Sequence, residues 1–190
     1  MVRVAGGEGL EMEVPLEGGL PSRPEDLYRL HRLCLRIFGL LARDVPAQAA
    51  ALAGVAGSGL RKKQRQALAR VLEEELPVLI ALYALKWLEG HRRLGGRGLG
   101  ELLRGLLLPC FSLSYGDLYD QPADPLQHVL SRVDWYLDGD KGEPLEAFLH
   151  YLAMVEEGPA ELDSLRRHLE QELLPELERR LELAFRYEFS

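Results

Sequence analysis

Residues 142–190 read GEPLEAFLHYLAMVEEGPAELDSLRRHLEQELLPELERRLELAFRYEFS, and their spacing decides the fold class. Leu145, Phe148, Leu149, Leu152 and Val155 recur every three or four positions, which makes one apolar stripe of a helix. Glu143, Glu146, His150 and Glu157 take the other side. After a break at Gly158-Pro159 the period resumes in Leu162, Leu165, Leu169, Leu173, Leu177, Leu181 and Ala184. Pro175 interrupts it. Proline has no backbone N–H and pushes on the carbonyl four residues back, so a kink is expected near Leu173-Leu174-Pro175. Neither stretch holds a catalytic set, so any function read there is one of shape and recognition.

The same period runs back through the chain. Ser22 and Glu25 form a capping box, Pro24 suits a first turn, and Leu27, Leu30, Cys34, Ile37, Phe38 and Leu41 make a buried stripe that Pro46 ends. A short helix over the Ala-rich residues 47–53 follows, and Ser58 is placed to cap the next one. In that helix Leu60, Ala67, Leu68, Val71 and Leu72 point inward, and Pro77 breaks or kinks the pattern. Val78 to Leu85 is apolar all round, the signature of a helix buried on every side. Glu101 to Leu108 and the stretch from Asp124 to Leu137 are two further helices, the second with Leu126, Val129, Leu130, Val133 and Leu137 facing in. Val2, Val4, Leu10, Met12 and Val14 alternate around glycines, so residues 1–20 are a β-hairpin or a tail. The expected architecture is one all-α domain over 21–190, a bundle of about seven helices.

Composition narrows the function. The net charge is −7, but residues 61–105 carry ten Lys/Arg against five Asp/Glu, while 111–190 carry seven against eighteen. An acidic C-terminal half argues against a general nucleic-acid binder and suits a cationic partner. Cys34 and Cys110 are too few for a disulfide framework, and Cys34 reads as a buried thiol. The N-terminus lacks a secretory pattern, and the apolar run Leu76–Leu88 is short of the ~20 residues a bilayer span needs. A cytoplasmic protein without a membrane span, monomer or homodimer, is expected.

The chemical motifs are weak. Gly95-Gly96-Arg97-Gly98-Leu99-Gly100 lacks the Lys-Ser/Thr of a phosphate loop and reads as a connection. Asp138-Gly139-Asp140-Lys141-Gly142-Glu143 starts like a calcium loop, but the twelfth position is Leu149, which cannot ligate. Glu146 and His150, and His168 and Glu172, lie one helical turn apart, a spacing commoner in surface pairs than in metal sites. No metal, no cofactor and no enzymatic activity is expected. Arg61, Lys62, Lys63 and Arg65 could make phosphate contacts, though without interleaved aromatics, so only a weak nucleic-acid contact follows.

Three short segments carry a resemblance: Ser114-Tyr115-Gly116-Asp117-Leu118-Tyr119, Glu143-Pro144-Leu145-Glu146, and His168-Leu169 followed by Leu174-Pro175. Over residues 110–187 the chain resembles the redox-enzyme maturation chaperones of the TorD, DmsD and NarJ type. These are all-α cytoplasmic proteins that bind the signal peptide or apoprotein of a molybdenum-containing oxidoreductase. Where that family has Glu-Pro-x-Asp-His, this chain has Glu146 for the Asp and Ala147 for the His; the Trp often found after the late proline is Glu176. The resemblance implies a client oxidoreductase or its signal peptide as partner. The peptide-binding residues would then be Tyr115, Asp117, Tyr119, Asp120, Trp135, Asp140, Glu143 and Glu146, with aromatics anchoring an apolar segment and acids selecting arginines. The alternative is a nucleic-acid-associated helical protein, such as a small ribonucleoprotein subunit, that uses the basic 61–97 region.

Overall fold

The computed structural model describes residues 2–5, 11–14, 24–41, 44–91, 94, 100–107, 131–133, 136, 143–155 and 161–190. At the N-terminus β1 (Val2–Ala5) pairs antiparallel with β2 (Glu11–Val14), Val2 opposite Val14. Apart from a single β-bridge residue at Leu94, all else with regular structure among the described residues is helical, residues 131–133 and 136 included. The helices are α1 (Pro24–Leu41), α2 (Val45–Ala56), α3 (Lys62–Gly90), α4 (100–107), α5 (Pro144–Met154), α6 (Leu162–His168) and, past a π-helical turn over Leu169–Leu173, α7 (Leu174–Phe189).

α1 opens on Pro24, with Glu25 and Asp26 in its first turn, where carboxylates complement the helix dipole. Leu27, Leu30, Cys34 and Ile37 are buried as their spacing requires, joined by Leu33. Pro46 does not end this helix. It sits in the first turn of α2, where a missing N–H costs nothing, and α1 stops at Leu41. α2 buries Val45, Ala49, Leu52, Ala53 and Ala56, a face of mostly small residues that lets α3 lie close against it. At the corner between them Gly57 has no room for a Cβ, which would press on the Ala53 carbonyl and lie 2.8 Å from Cγ of Arg65. Gly59 takes a φ of +93°, open to glycine at little cost.

Ser58 does not cap α3. The Gln64 side chain accepts the Arg61 backbone N–H at 3.0 Å, while the Ser58 hydroxyl donates to Glu161 ahead of α6. α3 then runs from Lys62 to Gly90 with Pro77 inside it, so the proline does not break the helix. Every residue from Glu75 to Leu82 is buried, and packing on all sides holds the segment that lacks one backbone hydrogen bond. α3 contacts α2, α5 and α7, the central position expected of Val78–Leu85.

α7 packs along α1 and continues the axis of α6. The distortion expected near Pro175 takes the form of the π turn. Proline offers no N–H to the carbonyl four residues back, and the Leu174 N–H reaches instead to the Leu169 carbonyl. Leu165, Leu169, Leu177, Leu181 and Ala184 remain on the buried side, in one core with Phe148, Leu149 and Leu152 of α5. The expected Ser22 cap, the Gly158-Pro159 break, the glycine loop 95–99 and Cys110 lie outside the described residues. Among the described residues no helix is long and apolar enough to cross a membrane.

Candidate functional site

Two acids stand at the start of α5. Glu143 precedes Pro144, whose fixed φ opens the helix, and Glu146 follows in the first turn, a favourable place for negative charge. Each carries a cation supplied by another helix. Lys86, near the end of α3, donates to Glu143. Arg166 of α6 forks onto Glu146, with Nη2 2.8 Å from Oε2 and Nη1 on Oε1. The hydrogen bonds from Arg166 hold the Glu146 carboxyl below the usual carboxylate range. Glu170 lies 3.9 Å from the same guanidinium. All four side chains are open to water, from 37% exposed for Arg166 to 67% for Glu143. These pairs therefore link α5 to its neighbours only weakly.

A second polar cluster is buried against α3. Glu75 of α3 is 4% exposed, with Arg132 Nη2 2.6 Å from one carboxylate oxygen and the Tyr136 hydroxyl donating to the other at 2.8 Å. The Arg132 guanidinium also lies 4.1 Å from the centre of the Tyr151 ring on α5. Burial and the adjacent Glu75 carboxylate push the Tyr136 phenol far above its ordinary range, so it stays a donor. Burial is the largest single influence and works against the Arg132 charge, but the Glu75 hydrogen bond, the Glu75 charge and the nearby Tyr151 and Tyr136 together outweigh it and keep that guanidinium protonated. The cluster ties Arg132, Tyr136 and α5 to the central helix.

Of the residues expected to bind a peptide, Glu143 and Glu146 are brought together at one end of α5, facing solvent. Tyr115, Asp117, Tyr119, Asp120, Trp135 and Asp140 lie outside the described residues. Glu146 takes Arg166 as its partner rather than His150 one turn on, whereas His168 and Glu172 do pair along their helix at 3.1 Å. Arg61, Lys62, Lys63 and Arg65 are all exposed at the start of α3. Sequence reasoning missed Glu75, Arg132 and Tyr151. A signal for Glu75 was there: positions 68, 72, 75 and 79 share one helical face, and three of them are leucines. No protein-family model matches the chain, and neither a curated protein nor a solved structure does.

Proposed function

We propose that this chain is a maturation chaperone that receives the signal peptide or apoprotein of a molybdenum-containing oxidoreductase, with the start of α5 as the acidic part of its docking surface. One observation supports the reading. Two of the segments that resemble the chaperone family, Glu143–Glu146 and the region around His168-Leu169, are neighbours joined by the Glu146–Arg166 fork. Lys86 and Arg166 then stand where the arginines of a client would sit. Exchanging one exposed cation for another changes little free energy, ~0.2–1 kcal/mol per pair. Apolar contacts must therefore carry affinity, while Glu143 and Glu146 set the choice of partner. Met154, 57% exposed and two turns beyond Glu146 on the same ridge, is one such contact.

The test is a calorimetric titration with a twin-arginine signal peptide and its twin-glutamine version, against the chain and its Glu143→Gln/Glu146→Gln variant. The expected result is micromolar binding of the twin-arginine peptide and a preference over twin-glutamine that the variant loses. No binding below the millimolar range, or equal binding of both peptides by the unsubstituted chain, rejects the reading.

A further inference from the structure

The start of α3 is electrostatically out of keeping with the rest of the described chain. Elsewhere several arginines sit on carboxylates, Arg36 on Glu188, Arg166 on Glu146 and Arg180 on Asp44, while exposed cations such as Arg29 and Arg167 are scattered singly rather than clustered. Arg61, Lys62, Lys63, Arg65 and Arg70 are exposed, and among the described residues none has a carboxylate partner. They also crowd the end of a helix where the dipole is positive, and the first turn of α3 holds no acid to offset them. Like charges at such a place destabilise the free protein slightly. In a chain with thirty Asp and Glu, nothing in the composition forces this arrangement.

We infer that the start of α3 is a docking surface for the phosphate backbone of a nucleic-acid duplex. Residues 61 to 66 are all exposed, so the first turn and a half of the helix is open to a partner. From Arg61 to Arg70 the cations extend over ~14 Å of helix. A duplex carries one negative charge per ~1.7 Å of its axis, so several phosphates fall within reach at once. The residues interleaved among the first cations are Gln64 and Gln66, exposed amides that hydrogen-bond phosphate oxygens. No aromatic side chain lies in 61–70, and stacking aromatics are what single-strand binders use. Among the described residues no exposed large apolar side chain lies beside the cations, which a helix lying on a bilayer requires; Tyr28, Leu35, Met154, Leu183 and Tyr187 are on other helices. Recognition here is of backbone charge, without base reading. The surface is independent of the proposed chaperone site, since Lys86 and Glu143 lie at the other end of α3, ~36 Å away by helix rise.

The experiment is fluorescence anisotropy with a labelled duplex of mixed sequence, about 20 base pairs long, titrated with the full chain at several salt concentrations. Binding is expected at low salt and should weaken on the order of 100-fold between about 50 and 200 mM salt, as release of counterions from about four phosphates demands. The variant Arg61→Gln/Lys62→Gln/Lys63→Gln/Arg65→Gln should lose it. All four side chains are exposed, so its circular dichroism and melting temperature should match the parent. Arg29→Gln/Arg167→Gln, which removes two exposed cations elsewhere, should bind as the parent does. The inference is overturned if the duplex does not bind at low salt, or if the fourfold variant binds equally well. It is also overturned if a single-stranded oligonucleotide, phosphatidylserine vesicles or polyglutamate binds this patch more tightly than the duplex.

Discussion

The Tyr136 hydroxyl donates a 2.8 Å hydrogen bond to Glu75, and both side chains are almost wholly buried. Arg132 completes the set from the other carboxylate oxygen. A buried charge survives only where partners replace water, and here they come from a segment some sixty positions along the chain. Glu75→Ala leaves the Arg132 guanidinium without its carboxylate and should cost about 3 kcal/mol of folding stability or more. Tyr136→Phe removes one hydrogen bond to a charged group and should cost less, about 1.5–3 kcal/mol. Urea denaturation of both single variants and the double variant checks this. If the two losses simply add, the residues are not coupled as their geometry requires.

Leu82 lies at the centre of the core and is 2% exposed. Leu82→Asp buries an unpaired charge that costs several kcal/mol against a total stability of roughly 5–15. The variant should be insoluble or unfolded. A soluble variant with the parent's circular dichroism and melting temperature would contradict the central position of α3.

The π turn over Leu169–Leu173 takes up one residue more than a regular α-helical turn. It thereby brings Leu177 and Leu181 back onto the face of Leu165 and Leu169. Deleting the exposed Gln171 should convert the turn to regular α-helix, keep that register and leave the melting temperature within a few degrees of the parent. Deleting Arg179 instead should rotate Leu181, Ala184 and Phe185 off the core by about 100° and unfold the C-terminal helix. Thermal melts followed at 222 nm distinguish the two outcomes, and equal tolerance of both deletions would count against the π turn as a register device.

Hydrogen bonds from Arg179 and Arg180 pull the Glu176 carboxyl down to about 2, and Arg166 lowers Glu146 in the same direction. A carboxyl depressed in the folded state contributes stability above its unfolded value, near 4.5, and loses that contribution as pH falls toward 2. The melting temperature should therefore drop across this window. Glu176 is exposed, so the effect is small and salt-sensitive. Glu176→Gln should melt below the parent at pH 7, and the gap should close by about pH 2. A gap independent of pH would mean that the two arginines do not hold Glu176 as described.

The sequence by itself determined the all-α class, the apolar stripes of α1, α5, α6 and α7, and the placement of Val78–Leu85 at the centre. Those features depend on spacing within one helix, and a periodic apolar pattern permits few alternatives. Proline was less legible, because its effect depends on what surrounds it. Pro46 starts a helix, Pro77 rides inside a buried one, and Pro175 widens a turn. Partners across the chain were not legible at all. Ser58 could cap a helix locally or bond Glu161, and Glu146 could pair with His150 or Arg166; only the packing of α2 and α5 against α6 selects between them. The periodicity of α3 puts Glu75 on the face of Leu68, Leu72 and Leu79, but only tertiary structure supplies its partners, Arg132 and Tyr136. Whether a charged side chain is a solvated ornament or a buried anchor depends on which distant residues replace its water, and helix periodicity carries no record of them.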